Sequence, residues 1–211
     1  VSTHRIQIAG GDWDSDNDTD LAVLLRDNTL VQIWLNGGTG TFSKQTTTYT
    51  VGSLPMGMIS GDWNCDGKQD LAVSNSGDNT LSLIYGKGTG EFDTPVTISS
   101  GRGPGALAAA DFDNDSKMDF VVGHHFLVST NGISLLTGDF SLTLSDTSSS
   151  TGYGSATSFA ATTVKDGSAP AAIVISDVDN DSKLDILITL PVSKKLAVLS
   201  GKLYSGNLSC P

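Results

Sequence analysis

Four short stretches of the chain carry side-chain oxygens at a spacing that suits a hard cation. In the clearest of them, Asp62, Asn64, Asp66 and Asp70 stand at the first, third, fifth and ninth positions of a nine-residue loop. Calcium takes about six to eight oxygen ligands, which alternating carboxylates supply when a sharp turn closes the loop. Gly67, at the sixth position, can adopt the left-handed backbone that turns the carbonyl of Lys68 inward. The stretch therefore predicts a calcium loop.

The same loop recurs along the chain. Its four copies begin at Asp12, Asp62, Asp111 and Asp177, which are 50, 49 and 66 positions apart. We expect the left-handed turns of the other copies at asparagines, which tolerate this region better than most residues, namely Asn17, Asn114 and Asn180. The copies predict about four calcium ions in all. Their further ligands would be Asp12, Asp14, Asp16, Asp20 and the carbonyl of Asp18; Asp111, Asp113, Asp115, Asp119 and the carbonyl of Lys117; and Asp177, Asp179, Asp181, Asp185 and the carbonyl of Lys183.

The residues after each loop distinguish it from a helical calcium motif. An EF-hand continues as a helix and closes with a Glu at its twelfth position, where this chain has Val73. The apolar run Leu71-Ala72-Val73 is too short for a helix and suits a strand. The loops therefore connect strands, and their recurrence predicts an all-β repeat architecture.

Around these loops the chain resembles a known family. The matching residues in the second copy are 61–73, 79–86 and 88–92, and the first copy repeats them at 11–23, 28–35 and 38–42. This pattern is similar to the FG-GAP or VCBS repeat of integrin α-subunit propellers and many secreted proteins. The resemblance covers nearly the whole chain. It implies a β-propeller with one calcium loop in each of four blades.

Prolines mark the joints between the predicted blades. Pro55, Pro104 and Pro170 each stand seven residues before the first Asp of the next loop, and proline suits the entrance of a strand because it lacks an amide donor. We therefore predict a single domain over 1–211, with blades at about 1–55, 56–104, 105–170 and 171–211. We expect a closed four-bladed ring, with an open stack of four blades and a fragment of a larger propeller as alternatives.

The acidity of the chain belongs to the loops. The formal net charge is −11, and sixteen of the 23 acidic residues lie inside the four loops. The remainder is close to neutral and has no cluster of Lys and Arg, so we expect no nucleic-acid partner. No segment approaches the ~18 unbroken apolar residues of a membrane span. We expect no membrane-spanning segment either.

Catalytic constellations are scarce in this sequence. The chain has three histidines and one Glu, and the carboxylates of the loops are committed to the metal. We interpret His124 and His125 as ordinary loop residues, because adjacent side chains point in different directions. The sequence therefore predicts a protein that is not an enzyme, with an accessory domain of a secreted enzyme as a weaker alternative.

The two cysteines, Cys65 and Cys210, permit a prediction about assembly. In a propeller the calcium loops lie on one face and the fourth strands end on the other, so these residues should lie on opposite faces. A disulfide within one chain would then be difficult, since its Cα atoms must approach within ~7 Å. A bond between copies would instead link them head to tail. Two unpaired thiols, or a local pair made when the last blade folds back, are the alternatives.

These observations indicate an extracellular protein, because weak calcium loops suit the calcium-rich exterior of the cell. We predict a secreted calcium-binding recognition or adhesion module whose partner is an extracellular protein or a glycan. Trp34, Tyr85 and Tyr153 are candidate contact residues, and Asn207 begins a sequon for N-glycosylation. The alternative is a structural protomer of an extracellular filament or surface coat, built from copies of the chain joined through Cys65 and Cys210.

Overall fold

The described part of the protein is built from antiparallel β-strands. A computed structural model describes residues 6–111, 118–124, 133–136, 142–144, 171–191 and 194–199. Every helix or strand assigned within these ranges is a strand, which confirms the all-β prediction. The chain divides into two compact units, Val1–Ile98 and Ser99–Pro211.

The first unit holds two four-stranded sheets, which we call blades one and two. Blade one contains β1 (Ile6–Gly11), β2 (Asp20–Leu25), β3 (Leu30–Asn36) and β4 (Phe42–Thr50), paired in that order. Blade two contains β5 (Pro55–Gly61), β6 (Asp70–Asn75), β7 (Thr80–Ile84) and β8 (Val96–Ser99), also paired in chain order. Strands that pair with their sequence neighbours form an up-and-down sheet, the form of a propeller blade.

The second unit repeats this arrangement in blades three and four. Blade three contains β9 (Pro104–Ala110), β10 (Asp119–His124), β11 (Ile133–Leu136) and β12 (Leu142–Leu144). Blade four contains β13 (Ile173–Ser176), β14 (Asp185–Leu190) and β15 (Lys195–Leu199). Of the blades that we predict over 105–170 and 171–211, residues 145–170 and 200–211 lie outside the described residues.

Each unit has an apolar core made by two neighbouring blades. In the first unit, Ala22, Leu24 and Ile33 of blade one cluster with Leu71 and Val73 of blade two. In the second unit, Ala110 and Val121 of blade three cluster with Ile186 and Ile188 of blade four. Burial of aliphatic side chains between sheets is the main stabilising contribution of such a core. A blade therefore depends on its neighbour for stability.

The inner strands differ in burial from what the sequence suggests. Their continuous apolar sequences predict strands that are covered on both sides, and β6 and β10 are buried at all six positions. In β2, however, buried and half-buried residues alternate. Blade one is thus fully covered on one of its two sides only, although its sequence closely matches that of blade two.

Candidate metal loops

The first aspartate of each loop organises the backbone that follows it. Oδ1 of Asp12 accepts hydrogen bonds from the N–H groups of Ser15, at 2.8 Å, and Asp16, at 3.2 Å. Its Oδ2 accepts one from Asn17 at 3.0 Å. Asp62 and Asp177 accept equivalent bonds from the fifth and sixth residues of their own loops. This carboxylate therefore holds the loop in its curled conformation.

The ninth residue anchors the loop to its sheet. Asp20 is fully buried, and its two oxygens accept hydrogen bonds from the backbone N–H groups of Trp13, at 2.9 Å, and Asn36, at 2.8 Å. Asp70 does the same with Trp63, at 2.8 Å, and Gly86, at 2.7 Å. The carboxylate thus ties the loop entrance to the last residue of the third strand, or to the second residue after it. The sequence analysis did not predict that this carboxylate bonds to both places. The position of a polar residue at the start of an apolar strand could have indicated it.

Two loops bring three carboxylates together. Asp12, Asp14 and Asp20 each offer an oxygen within 4.8 Å of the others, and Asp177, Asp179 and Asp185 form the equivalent group. Oδ1 of Asp14 is buried without a hydrogen-bond partner among the described residues. Such an atom is costly unless it finds a cation or a donor. The first, third and ninth residues of these loops therefore fit a hard metal ion.

The pKa values of two carboxylates in the loops also favour a bound cation. Burial raises the pKa of Asp14, and the neighbouring carboxylates of Asp20 and Asp16 raise it further. Burial also raises the pKa of Asp70 to about 6, against the opposing hydrogen bonds from Gly86 and Trp63. A raised carboxylate pKa means that the negative charge lacks compensation. A bound cation would supply that compensation.

The fifth residue occupies a different place. Asp181 does not belong to the carboxylate group of its loop. Its Oδ1 accepts a hydrogen bond of 2.9 Å from the backbone N–H of Lys183, and its Oδ2 lies 2.6 Å from the ammonium of that lysine. Asp66 and Lys68 form the same pair at 2.9 and 3.2 Å. That the fifth residue and the seventh carbonyl act as ligands remains a prediction.

Two residues in each described loop adopt the left-handed backbone. They are the fourth and sixth residues: Ser15 and Asn17, Cys65 and Gly67, and Asn180 and Ser182, with φ between 59° and 82°. Asn17 and Asn180 thus have the predicted conformation. However, Asn180 corresponds to Cys65 and not to Gly67, whose place is taken by Ser182. Asn114 lies outside the described residues.

Loops two and three are less complete. Loop two carries Asn64 at the third position, between Asp62 and Asp70, so one of its three inner oxygens belongs to an amide. In loop three Asp111 and Asp119 are buried, whereas Asp113, Asp115 and Lys117 lie outside the described residues. The same holds for Tyr153, Asn207 and Cys210. What the sequence predicts for each of these residues stays a prediction.

Cys65 lies at the fourth position of loop two and is disulfide-bonded. It is therefore not an unpaired thiol in this structure. The chain has one other cysteine, Cys210, which lies outside the described residues. The predicted link between copies through Cys65 and Cys210 stays a prediction.

A turn of blade two packs against the first loop, which the sequence did not predict. The backbone N–H of Gly90 donates a hydrogen bond of 2.7 Å to the carbonyl of Trp13. The hydroxyl of Ser15 donates one of 3.3 Å to the carbonyl of Gly88. The ring of Phe92 packs 5.9 Å from that of Trp13 and 5.3 Å from that of Tyr49. The first loop, the turn and the aromatic cluster therefore form one structural unit across two blades.

Comparison with known proteins agrees with this architecture. A family model described as FG-GAP-like repeat matches residues 12–73 and 62–122, which together make up more than half of the chain. The chain therefore belongs to the FG-GAP-like repeat family. The fold is also similar to a solved chain in the crystal structure of BBS1N in complex with ARL6DN, soaked with lead, at a TM-score of 0.54 and 12% identity.

That similarity covers 95% of this chain and 57% of the solved one, so this chain spans little more than half the length of that structure. It shows the fold alone. No curated protein matches the sequence. Among the described residues, no helix has the length and apolar character needed to cross a membrane.

Proposed function

We propose that this protein is a secreted, calcium-binding β-propeller domain that serves as an extracellular recognition or adhesion module. The observation that carries the calcium part is the preassembled carboxylate group of Asp12, Asp14 and Asp20, repeated at Asp177, Asp179 and Asp185. Calcium fits better than a transition metal because every side-chain donor in these loops is a hard oxygen.

The metal has a structural role in this proposal. The loops already curl around their first aspartate, and the ninth aspartate is bonded to the sheet, so an ion would relieve repulsion among carboxylates that the fold has brought together. It would thereby stabilise the join between the first and second strands of each blade. The remaining chemistry of the chain offers no catalytic role, and we infer a binding protein, not an enzyme.

A calcium titration tests this part directly. Isothermal calorimetry should give saturable binding near ~10⁻⁴–10⁻³ M, the range of extracellular modules, and the melting temperature should rise with calcium and fall with chelator. Magnesium at the same concentration serves as the control, because it demands a smaller octahedral site. Equal melting temperatures in calcium and chelator would contradict the proposal.

The recognition part rests on the family and on the extracellular setting that calcium loops favour. Among the predicted contact residues, Trp34 and Tyr85 are half-buried, and the ammonium of Lys44 lies 6.0 Å from the centre of the Trp34 ring. A glycan array and binding to extracellular matrix proteins, both in millimolar calcium, test this part. Loss of binding in Tyr85→Ala, with an unchanged melting temperature, would assign the site.

The alternative function, a protomer of an extracellular filament or coat, is favoured by one specific observation. Val174 and Leu196, on the same side of the sheet of blade four, are both exposed. Exposed apolar side chains grouped on one surface commonly mark a protein interface.

A further inference from the structure

One turn of blade two contacts both metal loops of the first unit. It covers residues 86–92, and we call it the bridging turn. The backbone N–H of Lys87 donates a hydrogen bond of 2.9 Å to the carbonyl of Glu91, and Gly86 pairs with Phe92. Because its two arms are paired in this way, a displacement at one end of the turn is passed to the other.

The start of the bridging turn is fixed to the second loop. The backbone N–H of Gly86 donates a hydrogen bond of 2.7 Å to Oδ1 of Asp70, the ninth residue of that loop. A Cβ added at Gly86 would collide with the carbonyl oxygen of Gln69, so glycine is required for this close approach of the two backbones. The position of the turn therefore depends on that of the Asp70 carboxylate.

The tip of the bridging turn lies on the first loop. Its Gly90 N–H bonds to the carbonyl of Trp13 at 2.7 Å, and its Gly88 carbonyl accepts the hydroxyl of Ser15 at 3.3 Å. Trp13 and Ser15 are the two neighbours of Asp14, whose Oδ1 is buried without a hydrogen-bond partner among the described residues. The turn therefore holds the backbone on both sides of a predicted metal ligand.

The two loops that the turn joins differ in charge. The first contains five aspartates and no basic residue, a formal charge of −5. The second contains three aspartates and Lys68, which sum to −2. Calcium affinity increases with the charge of the loop ligands. The first loop should therefore fill at a lower calcium concentration than the second.

We propose that the bridging turn couples these two loops, so that an ion in the first loop raises the calcium affinity of the second. The coupling presupposes that both loops bind calcium, and it rests in that respect on the proposed function. An ion held by Asp14 and Asp20 fixes the backbone from Trp13 to Ser15, and with it the turn that bonds to Asp70. The second ion then meets a loop whose anchor is already ordered.

The experiment is a calcium titration of the ¹⁵N-labelled whole chain, followed by the backbone amide signals of Asn17 and Gly67 in NMR spectra. Each of these N–H groups donates a hydrogen bond to the first aspartate of its own loop, at 3.0 Å and 2.8 Å. Each signal therefore reports on one loop. The Asn17 signal should reach half-saturation first, and the Gly67 signal at a higher calcium concentration.

Asp14→Ala tests whether the second loop depends on the first. This variant removes a predicted ligand from the first loop and should raise the half-saturation concentration of the Gly67 signal about fivefold or more, the lower end of typical coupling between sites. The lost charge of Asp14 could also act on the second loop directly through space. A variant of the turn separates the two effects.

Gly90→Ala is that variant. Gly90 has φ of 78°, and its added Cβ would meet Cδ1 of Leu35 at 2.7 Å, which should displace the tip from Trp13 while every predicted ligand stays in place. In this background Asp14→Ala should leave the Gly67 titration unchanged. Gly40→Ala is the matched control, because Gly40 has φ of 75° and open space within 4 Å among the described residues. In the control background Asp14→Ala should keep its full effect.

Ser15→Ala is a milder variant in case Gly90→Ala does not fold, as judged by circular dichroism. It removes only the hydroxyl bond to Gly88 and should reduce the effect of Asp14→Ala at least about twofold. An effect of Asp14→Ala that persists undiminished in the turn variants would overturn the coupling through the turn. If both loops bind calcium independently, the coupling is wrong and the proposed function stands. If neither signal responds to calcium, the proposed function fails, and the coupling fails with it.

Discussion

The backbone N–H of Trp13 donates a hydrogen bond of 2.9 Å to Oδ2 of Asp20, seven residues later. The same bond recurs between Trp63 and Asp70 at 2.8 Å and between Val178 and Asp185 at 2.9 Å. In these three loops the last aspartate therefore closes the loop as a structural part of the blade, in addition to its predicted role as a metal ligand. Loop and sheet are coupled through one buried carboxylate.

The first prediction concerns this coupling. Asp70→Ala should lower the free energy of unfolding by about 2–4 kcal/mol in saturating calcium, because the buried N–H groups of Trp63 and Gly86 lose their acceptor. Asp70→Asn keeps one acceptor oxygen and should lose less. Thermal and urea unfolding measure the effect. Asp93→Ala, at an exposed carboxylate, is the control and should stay within about 0.5 kcal/mol of the wild type; similar losses in both variants would contradict the anchoring role.

The second prediction separates metal binding from folding. Asp14→Ala should weaken calcium binding at the first loop and reduce the stabilisation that calcium confers, since it removes one of three clustered carboxylates. In chelator the same variant should be no less stable than the wild type, because the repulsion from Asp20 and Asp16 is relieved. The melting temperature with and without calcium checks both statements.

Asp14→Asn is the informative companion. Loop two has Asn64 at this position, so an amide oxygen fits the loop without strain. The Asn variant should therefore retain weaker calcium binding where the Ala variant loses it. If both variants bind calcium like the wild type, Asp14 is not a ligand.

The repeated acidic loops made the family, the all-β class and the inner strands predictable from sequence. Alternating oxygens and short apolar runs are local signals, and β2 and β14 begin at the ninth residue of their loops. The exposure of Ile8 was not predictable in this way. Its sequence surroundings match those of Met58, yet Ile8 is 56% exposed and Met58 is 3% exposed, because burial depends on what packs against a side chain and not on its neighbours in sequence.

The assignment of the left-handed turns shows a second limit. The left-handed turn of the fourth loop was expected at Asn180, and Asn180 does adopt this backbone. Ser182, two residues later and at the sixth position of the loop, adopts it as well. Residue preference identifies turn segments well but assigns single backbone conformations poorly, because hydrogen bonds to Asp177 impose the local geometry. The strained left-handed backbone therefore occurs where the hydrogen bonds to the Asp177 carboxylate require it.

The third prediction uses this backbone geometry. Gly67 has φ of 82°, and a Cβ added there would meet no described heavy atom within 4 Å. Gly67→Ala should therefore cost about 1 kcal/mol from conformational strain alone. Gly37→Ala is the matched control, with equal space and no left-handed backbone, and it should be neutral or slightly stabilising. Equal melting temperatures for the two variants would contradict the argument.

The fourth prediction compares two equivalent phenylalanines. Phe92→Ala should cost about 3–5 kcal/mol, because its ring packs against Trp13 and Tyr49 in the core between blades one and two. Phe42→Ala should cost far less in the monomer, since Phe42 is 37% exposed at the corresponding place in blade one. Urea unfolding at low protein concentration measures both values.

Both variants remove the same side chain, so the difference between them measures how well each ring is packed. Equal losses of stability in the two variants would contradict the argument, because they would mean that Phe42 contributes as much to the fold as Phe92.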